Sequence, residues 1–151
     1  MELSDEITIN APREKVYAGL NNPEILKACI PGCEELTYLS DTELEAKVTL
    51  KIGPVKARFK GSVTLDPINP PEQFSLTGEG KGGVAGFAKG GADVTLTEIE
   101  GGAATLLTYK ASADVGGKIA QLGSRLVSST ALKLSHRFFE KFQQEIDEQN
   151  I

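Results

Sequence analysis

The sequence predicts an α+β fold in which a curved antiparallel sheet of six or seven strands wraps around one long C-terminal helix. Three observations predict it. From Lys118 to Asp147 the chain has no Pro and one Gly. Its apolar residues there, Ile119, Leu122, Leu126, Val127, Ala131, Leu134, Phe138, Phe142 and Ile146, recur in steps of three and four, which is a helical stripe. A continuous helix over that span would be about 45 Å long. Second, almost everything from Glu34 to Val115 reads as strand. Third, Pro12, Pro23 and the pair Pro31-Gly32 bracket two short helices after the first strand, and Pro is tolerated in a first helical turn because its missing N–H needs no partner there.

In chain order, Glu2 to Asn10 forms the first strand through Leu3, Ile7 and Ile9. A helix from Pro12 to about Asn21 turns Val16, Tyr17 and Leu20 inward, and a second runs from Glu24 to Ile30. Strands follow near Glu34–Leu39, Glu43–Ile52, Val55–Asp66, Gln73–Thr77, Gly86–Glu100 and Ala103–Val115, joined by turn-forming residues. The hairpin at Gly53-Pro54 is the clearest local signal. Leu44, Ala46, Val48, Leu50 and Ile52 alternate with polar residues before it, as do Val55, Ala57, Phe59, Gly61, Val63 and Leu65 after it. A strict period of two gives one buried and one exposed face.

Composition narrows the function. The 151 residues suit a single domain, 1–151, with 40% hydrophobic and 25% charged residues. A formal charge of −5 argues against nucleic acid as a partner. The acidic start Met1-Glu-Leu-Ser-Asp-Glu lacks the order of a signal peptide, and no apolar run reaches the ~18 residues of a membrane span. A cytoplasmic protein is therefore expected. Cys29 and Cys33 are its only cysteines. With His136 as the one further soft ligand, zinc is not expected; reduced thiols beside a turn are, with a redox pair as the alternative.

Several motifs carry less than they promise. Gly78-Glu-Gly80-Lys-Gly-Gly83 matches G-x-G-x-x-G, but a strand and not a helix is expected after it, so no nucleotide cofactor follows. These glycines read instead as sites of bending and close approach in a curved sheet. With small residues on the helix, Gly123, Thr130 and Ala131, they allow either close backbone packing without a cavity or, as expected here, an apolar cavity. His136 falls opposite the apolar stripe, near Arg125, Ser129, Glu140 and Gln143, so a surface role is expected. No catalytic group is assigned and no cofactor is implied.

The expected ligand site is lined by Val48, Leu50, Phe59, Phe74, Phe87, Tyr109, Leu122, Leu126, Val127 and Ala131. Tyr109 would supply one hydrogen bond to a ligand carbonyl, and Arg125 would stand at the rim, facing a partner. On the hairpin's polar face, a two-residue turn sets Lys51 opposite Lys56 and Lys47 opposite Lys60, with Arg58 beside them. Like charges so paired are mildly destabilising. They serve either to discourage edge aggregation or to dock on anionic lipid or an acidic protein surface.

Three stretches, Cys29-Ile-Pro-Gly-Cys-Glu34, Ile52-Gly-Pro-Val-Lys-Ala-Arg-Phe-Lys-Gly61 and Gly116-Gly-Lys-Ile-Ala-Gln-Leu-Gly-Ser-Arg-Leu126, resemble the carbon monoxide dehydrogenase G-subunit family of the START-like helix-grip superfamily. The resemblance implies seven strands gripping the C-terminal helix over a hydrophobic cavity. It also implies an accessory role beside a molybdenum hydroxylase of the carbon monoxide dehydrogenase type, at the cytoplasmic membrane and its quinone pool. The expectation is thus a non-catalytic carrier of a quinone-like or other lipid, touching the inner face of the membrane transiently through the basic hairpin. A recruitment factor working without the cavity is one alternative. A cyclase or hydratase of the same superfamily is another; its acid–base groups would be Tyr109, Asp93 or Asp114.

Overall fold

A computed structural model describes residues 1–148. The expected domain 1–151 therefore has its last three positions outside the described residues. Seven strands form one antiparallel sheet: β1 (Glu2–Ile9), β2 (Cys33–Tyr38), β3 (Glu43–Ile52), β4 (Val55–Asn69), β5 (Gln73–Lys81), β6 (Phe87–Ile99) and β7 (Ala104–Gly116). Their order is β1-β7-β6-β5-β4-β3-β2, a meander from β2 to β7 with β1 added beside β7. Helices α1 (Arg13–Leu20) and α2 (Pro23–Cys29) connect the two edge strands. Asn22 caps α2, its side chain accepting from the Glu24 N–H at 2.9 Å, and Pro31 keeps the helix from continuing. Pro12 stands one step outside α1, as its extended N-cap.

The Gly53-Pro54 turn holds two residues, and the expected pairs Lys51↔Lys56 and Lys47↔Lys60 are in register. The sheet differs from expectation at the glycine-rich stretch. There β5 runs on through Gly78 to Lys81, and a 3-10 turn at Gly83–Ala85 precedes β6.

The C-terminal helix is also not continuous. α3 (Lys118–Gln121) ends at Leu122–Gly123, and α4 (Ser124–Glu148) starts afresh. Gly123 has φ +94°, a left-handed conformation that closes a helix and that a side chain would resist. α4 is therefore about 38 Å long, not 45.

Apolar packing concentrates at the two ends of the sheet. At one end Phe142 and Ile146 of α4 are fully buried with Ile9, Val16, Ile25, Leu96 and Leu107. Phe138 stacks on Phe142 at a centroid distance of 6.0 Å. At the other end Phe59, Ala85 and Ile119 form a smaller buried cluster.

Candidate functional site

Between the two clusters, apolar residues of the helix and of the sheet are only half-buried. Cross-strand register gives the inner face of the middle sheet. One row reads Ala46, Gly61, Gly80, Ala88 and Val115. The next reads Leu44, Val63, Gly78, Gly90 and Ala113. Most of these residues are small, so the floor is largely backbone. A methyl group built on Gly80 would meet nothing within 4 Å. Opposite lies the first half of α4, where Val127, Ala131 and Leu134 are only half-buried, as are Val48, Leu50, Val63 and Leu65 on the sheet. Apolar side chains turned toward a covering helix normally lose their water. Here an entire band keeps part of it, and the space between this band and α4 is taken as the candidate ligand gap.

The expected lining residues fall in several surroundings. Val48 and Leu50 line the gap's β3 side, and Phe59 closes one end beside Ile119. Phe74 and Tyr109 close the other end as members of the larger core. Leu122 and Leu126 lie against the hairpin turn, the Leu126 Cδ2 being 2.9 Å from where a Gly53 Cβ would stand. Phe87 is the correction. It is 48% exposed and lies on the outer face, because β6 alternates without a bulge and buries Val94 and Leu96, an odd number of positions away. Its ring covers Gly116 instead.

The polar groups are also rearranged. The Tyr109 hydroxyl already shares a hydrogen bond of 2.8 Å with Ser135 on α4, so a ligand would have to reach the same pair. Asp93 and Asp114 stand exposed on the outer face, Asp93 accepting from Ser75 at 2.6 Å. Neither reaches the gap. His136 is exposed as expected, but it meets Asp5 of β1 at 3.2 Å. Asp5 and Ser135 were not singled out from the sequence. The only sequence signal for Asp5 is that it shares the inward parity of Leu3, Ile7 and Ile9.

The basic ribbon is partly neutralised. Glu35 pairs with Lys47 at 3.3 Å and Glu34 with Arg58 at 3.1 Å. Glu34 also accepts from the Thr49 hydroxyl, and this bond, followed by Arg58, holds its carboxyl below the usual range. Lys51, Lys56, Lys60 and the exposed Arg125 have no ion pair among the described residues.

The Cys29–Cys33 segment borders a separate depression of about 430 Å³ against α4, with Lys27, Arg137, Glu140 and Lys141 around it. Burial, aided by the Glu145 carboxylate, pushes the Cys29 thiol up to about 11. Burial also raises Cys33, which is half-buried and donates to the Glu35 carbonyl at 3.4 Å. Raised values keep both thiols protonated and slow near neutral pH. The folded Cys29 titrates above its ordinary value of 9.0, so its contribution to stability is complete below that value and is lost as pH rises towards 11. With iodoacetamide at mildly alkaline pH, Cys33 is expected to be alkylated first and Cys29 only on unfolding. Equal labelling, read by peptide mass spectrometry, would show that the seam between α2 and α4 opens in the native protein.

A seven-stranded antiparallel sheet curled around a terminal helix defines a START-like helix-grip domain. The chain belongs to the carbon monoxide dehydrogenase G-subunit (CoxG) family, whose pattern matches residues 6–147. A conserved protein from Geobacillus kaustophilus is 33% identical, with a TM-score of 0.91 over 98% of this chain and 96% of that one. A START superfamily protein from Mycobacterium smegmatis shares the fold at 13% identity and TM-score 0.77, over 98% of both chains. So does the ZhuI aromatase/cyclase from Streptomyces sp. R1128, at 11% identity and TM-score 0.68, over 100% of this chain and 96% of that one. Among proteins of curated function, none matches the chain. No helix among the described residues is long and apolar enough to cross a membrane.

Proposed function

We propose that this protein is a non-catalytic carrier that holds a quinone-like or other lipid molecule between α4 and the inner face of the sheet. In that role it would serve a molybdenum hydroxylase of the carbon monoxide dehydrogenase type. The observation that carries the reading is the half-exposed apolar band, closed at both ends by packed clusters and floored by glycine and alanine. Exposed apolar surface in water is unfavourable by about 25 cal/mol per Å², so a lipophile entering the gap gains that term while the fold stays as it is. The gap offers few polar contacts beyond Tyr109 and Ser135, which suits a mostly apolar ligand with one carbonyl. Membership of the CoxG family supports the accessory role. Of the acid–base groups named for a cyclase, Asp93 and Asp114 face outward, and Tyr109, which is turned inward, shares its hydroxyl with Ser135.

Native mass spectrometry of gently purified protein, with solvent extraction of whatever it carries, tests the reading. One lipophile per chain is expected, either co-purified or taken up from added quinone. Protein that stays empty after incubation with quinones and membrane extract would overturn it.

A further inference from the structure

The helix α4 is held to the rest of the molecule unevenly along its length. Its second half is seated by Phe142 and Ile146, both fully buried, and the Asn10 N–H donates to the Gln143 side-chain oxygen at 2.9 Å. From Ser124 to Leu134 no side-chain hydrogen bond or ion pair joins the helix to the sheet among the described residues. The hydroxyls of Ser129 and Thr130 turn back to the Leu126 carbonyl of the same helix. Leu126, Val127, Ala131 and Leu134 are only half-buried there. This stretch is bounded at its start by the left-handed Gly123, φ +94°, and at its end by two side-chain bonds to the sheet. The Ser135 hydroxyl meets the Tyr109 hydroxyl at 2.8 Å, and the His136 Nε2 lies 3.2 Å from the Asp5 Oδ2.

The two bonds form a matched pair. Asp5 is the register partner of Tyr109 across β1 and β7, and Ser135 and His136 are successive on α4, so two neighbouring sheet positions meet two neighbouring helix positions. Asp5 stands on the inward side of β1 between Leu3 and Ile7, where the strand's alternation calls for an apolar residue. A carboxylate so placed needs a partner, and it meets the chain's one histidine. Its other oxygen accepts from the Glu6 N–H at 2.9 Å, which fixes the direction of the carboxylate. The charged and titratable groups around His136 are Asp5 of β1, Tyr109 of β7, and Lys133, Arg137 and Glu140 within one turn on its own helix; these last three are exposed. A protonated imidazole makes the bond to Asp5 charge-assisted and about twice as strong as a neutral one. Histidine is also the side chain whose charge changes between about pH 5 and 8.

We infer that the Asp5–His136 pair is a charge-dependent clasp on the gap. With His136 protonated, it holds the first half of α4 down on the sheet. With His136 neutral, that half lifts, tilting on the Phe142–Ile146 seat while Gly123 takes up the change, as residues at element ends do in hinge motions. The inference rests on the carrier reading for what it regulates, since the gap lies beneath the segment that the clasp controls. Acid pH would then retain the cargo, and mildly alkaline pH would free it. The pair is partly exposed, at 57% for His136 and 33% for Asp5, so it biases the opening and does not lock it.

Two measurements test the clasp, and the first needs no cargo. In amide hydrogen exchange of the ligand-free protein at about pH 5.5, Asp5→Asn and His136→Ala should each speed exchange in residues 124–134 about two- to fivefold. Exchange in residues 138–148 should stay as it is. The double variant should match the single ones, because either change alone opens the clasp. In the second, the neutral probe N-phenyl-1-naphthylamine is loaded and its release is timed. Release from the wild type should quicken about two- to fivefold between about pH 5.5 and about pH 8, and from His136→Ala it should be fast at both. Unchanged exchange in both single variants would overturn the inference. So would equal acceleration along all of α4, which marks a merely structural contact, or a pH trend that His136→Ala keeps. Altered exchange in a protein that takes up no probe would sink the carrier reading alone, and probe uptake with unaltered exchange would sink this inference alone.

Discussion

Replacing Ala131 with Phe is expected to abolish lipophile binding while leaving the melting temperature almost unchanged. Ala131 lies four residues before Ser135, whose hydroxyl meets Tyr109 of the sheet, so the two share the face of α4 that looks onto the gap. A phenyl ring there would occupy space that is now accessible and bury itself against Val63 and the glycine floor. In a packed core such an enlargement costs about 1–3 kcal/mol in strain. Into an open gap it should cost less than about 1 kcal/mol, because the ring gains burial and displaces no side chain. The two measurements therefore divide the cases. Lost binding with a normal melting curve supports the gap as the ligand site. Retained binding places the ligand elsewhere, and a sharp fall in stability shows that the space is already filled.

Phe142→Ala should do the reverse of this, acting on the fold. Phe142 is fully buried. It stacks on Phe138 and lies against Gly19, where a Cβ would be 3.1 Å from its ring. Deleting such a ring removes transfer free energy and leaves a cavity, at a cost of about 3–5 kcal/mol. For a domain of this size that lowers the melting temperature by on the order of 10 °C, and it takes a large share of a typical total stability. A truncation at Val127, one turn from Ala131, should cost far less, since that side chain is only half-buried. One helix thus divides its labour: the second half holds the domain together and the first half borders the site. Thermal melts of the two truncations would test that division directly; equal losses would refute it.

The periodicity of the sequence carried much of this. The strand alternation about Gly53-Pro54 predicted the pairs Lys51↔Lys56 and Lys47↔Lys60, because a two-residue turn leaves only one register. Phe87 was misplaced although its parity was readable: counted back from Val94 and Leu96, it falls on the outer face. The helix break at Gly123 was also signalled, by the one glycine in the stripe, but apolar steps of three and four ran across it undisturbed. Periodicity reports which way side chains point and is blind to a single left-handed residue. The pairing of Glu34 and Glu35 with Arg58 and Lys47 was not readable at all. It depends on the irregular β2–β3 register between Cys33 and Glu35, and no local pattern encodes that.

The sequence by itself determined most element types, the register of the Gly53-Pro54 hairpin and most inward and outward faces, since these follow from turns and from periods of 2 and 3.6 within short stretches. The gap was different. Whether Gly61, Gly80 and Ala131 meet in close contact or stand apart depends on how far the sheet curls before Phe142 and Ile146 seat the helix. Distance between surfaces is set by residues far apart in the chain, and only the tertiary structure brings them to one place.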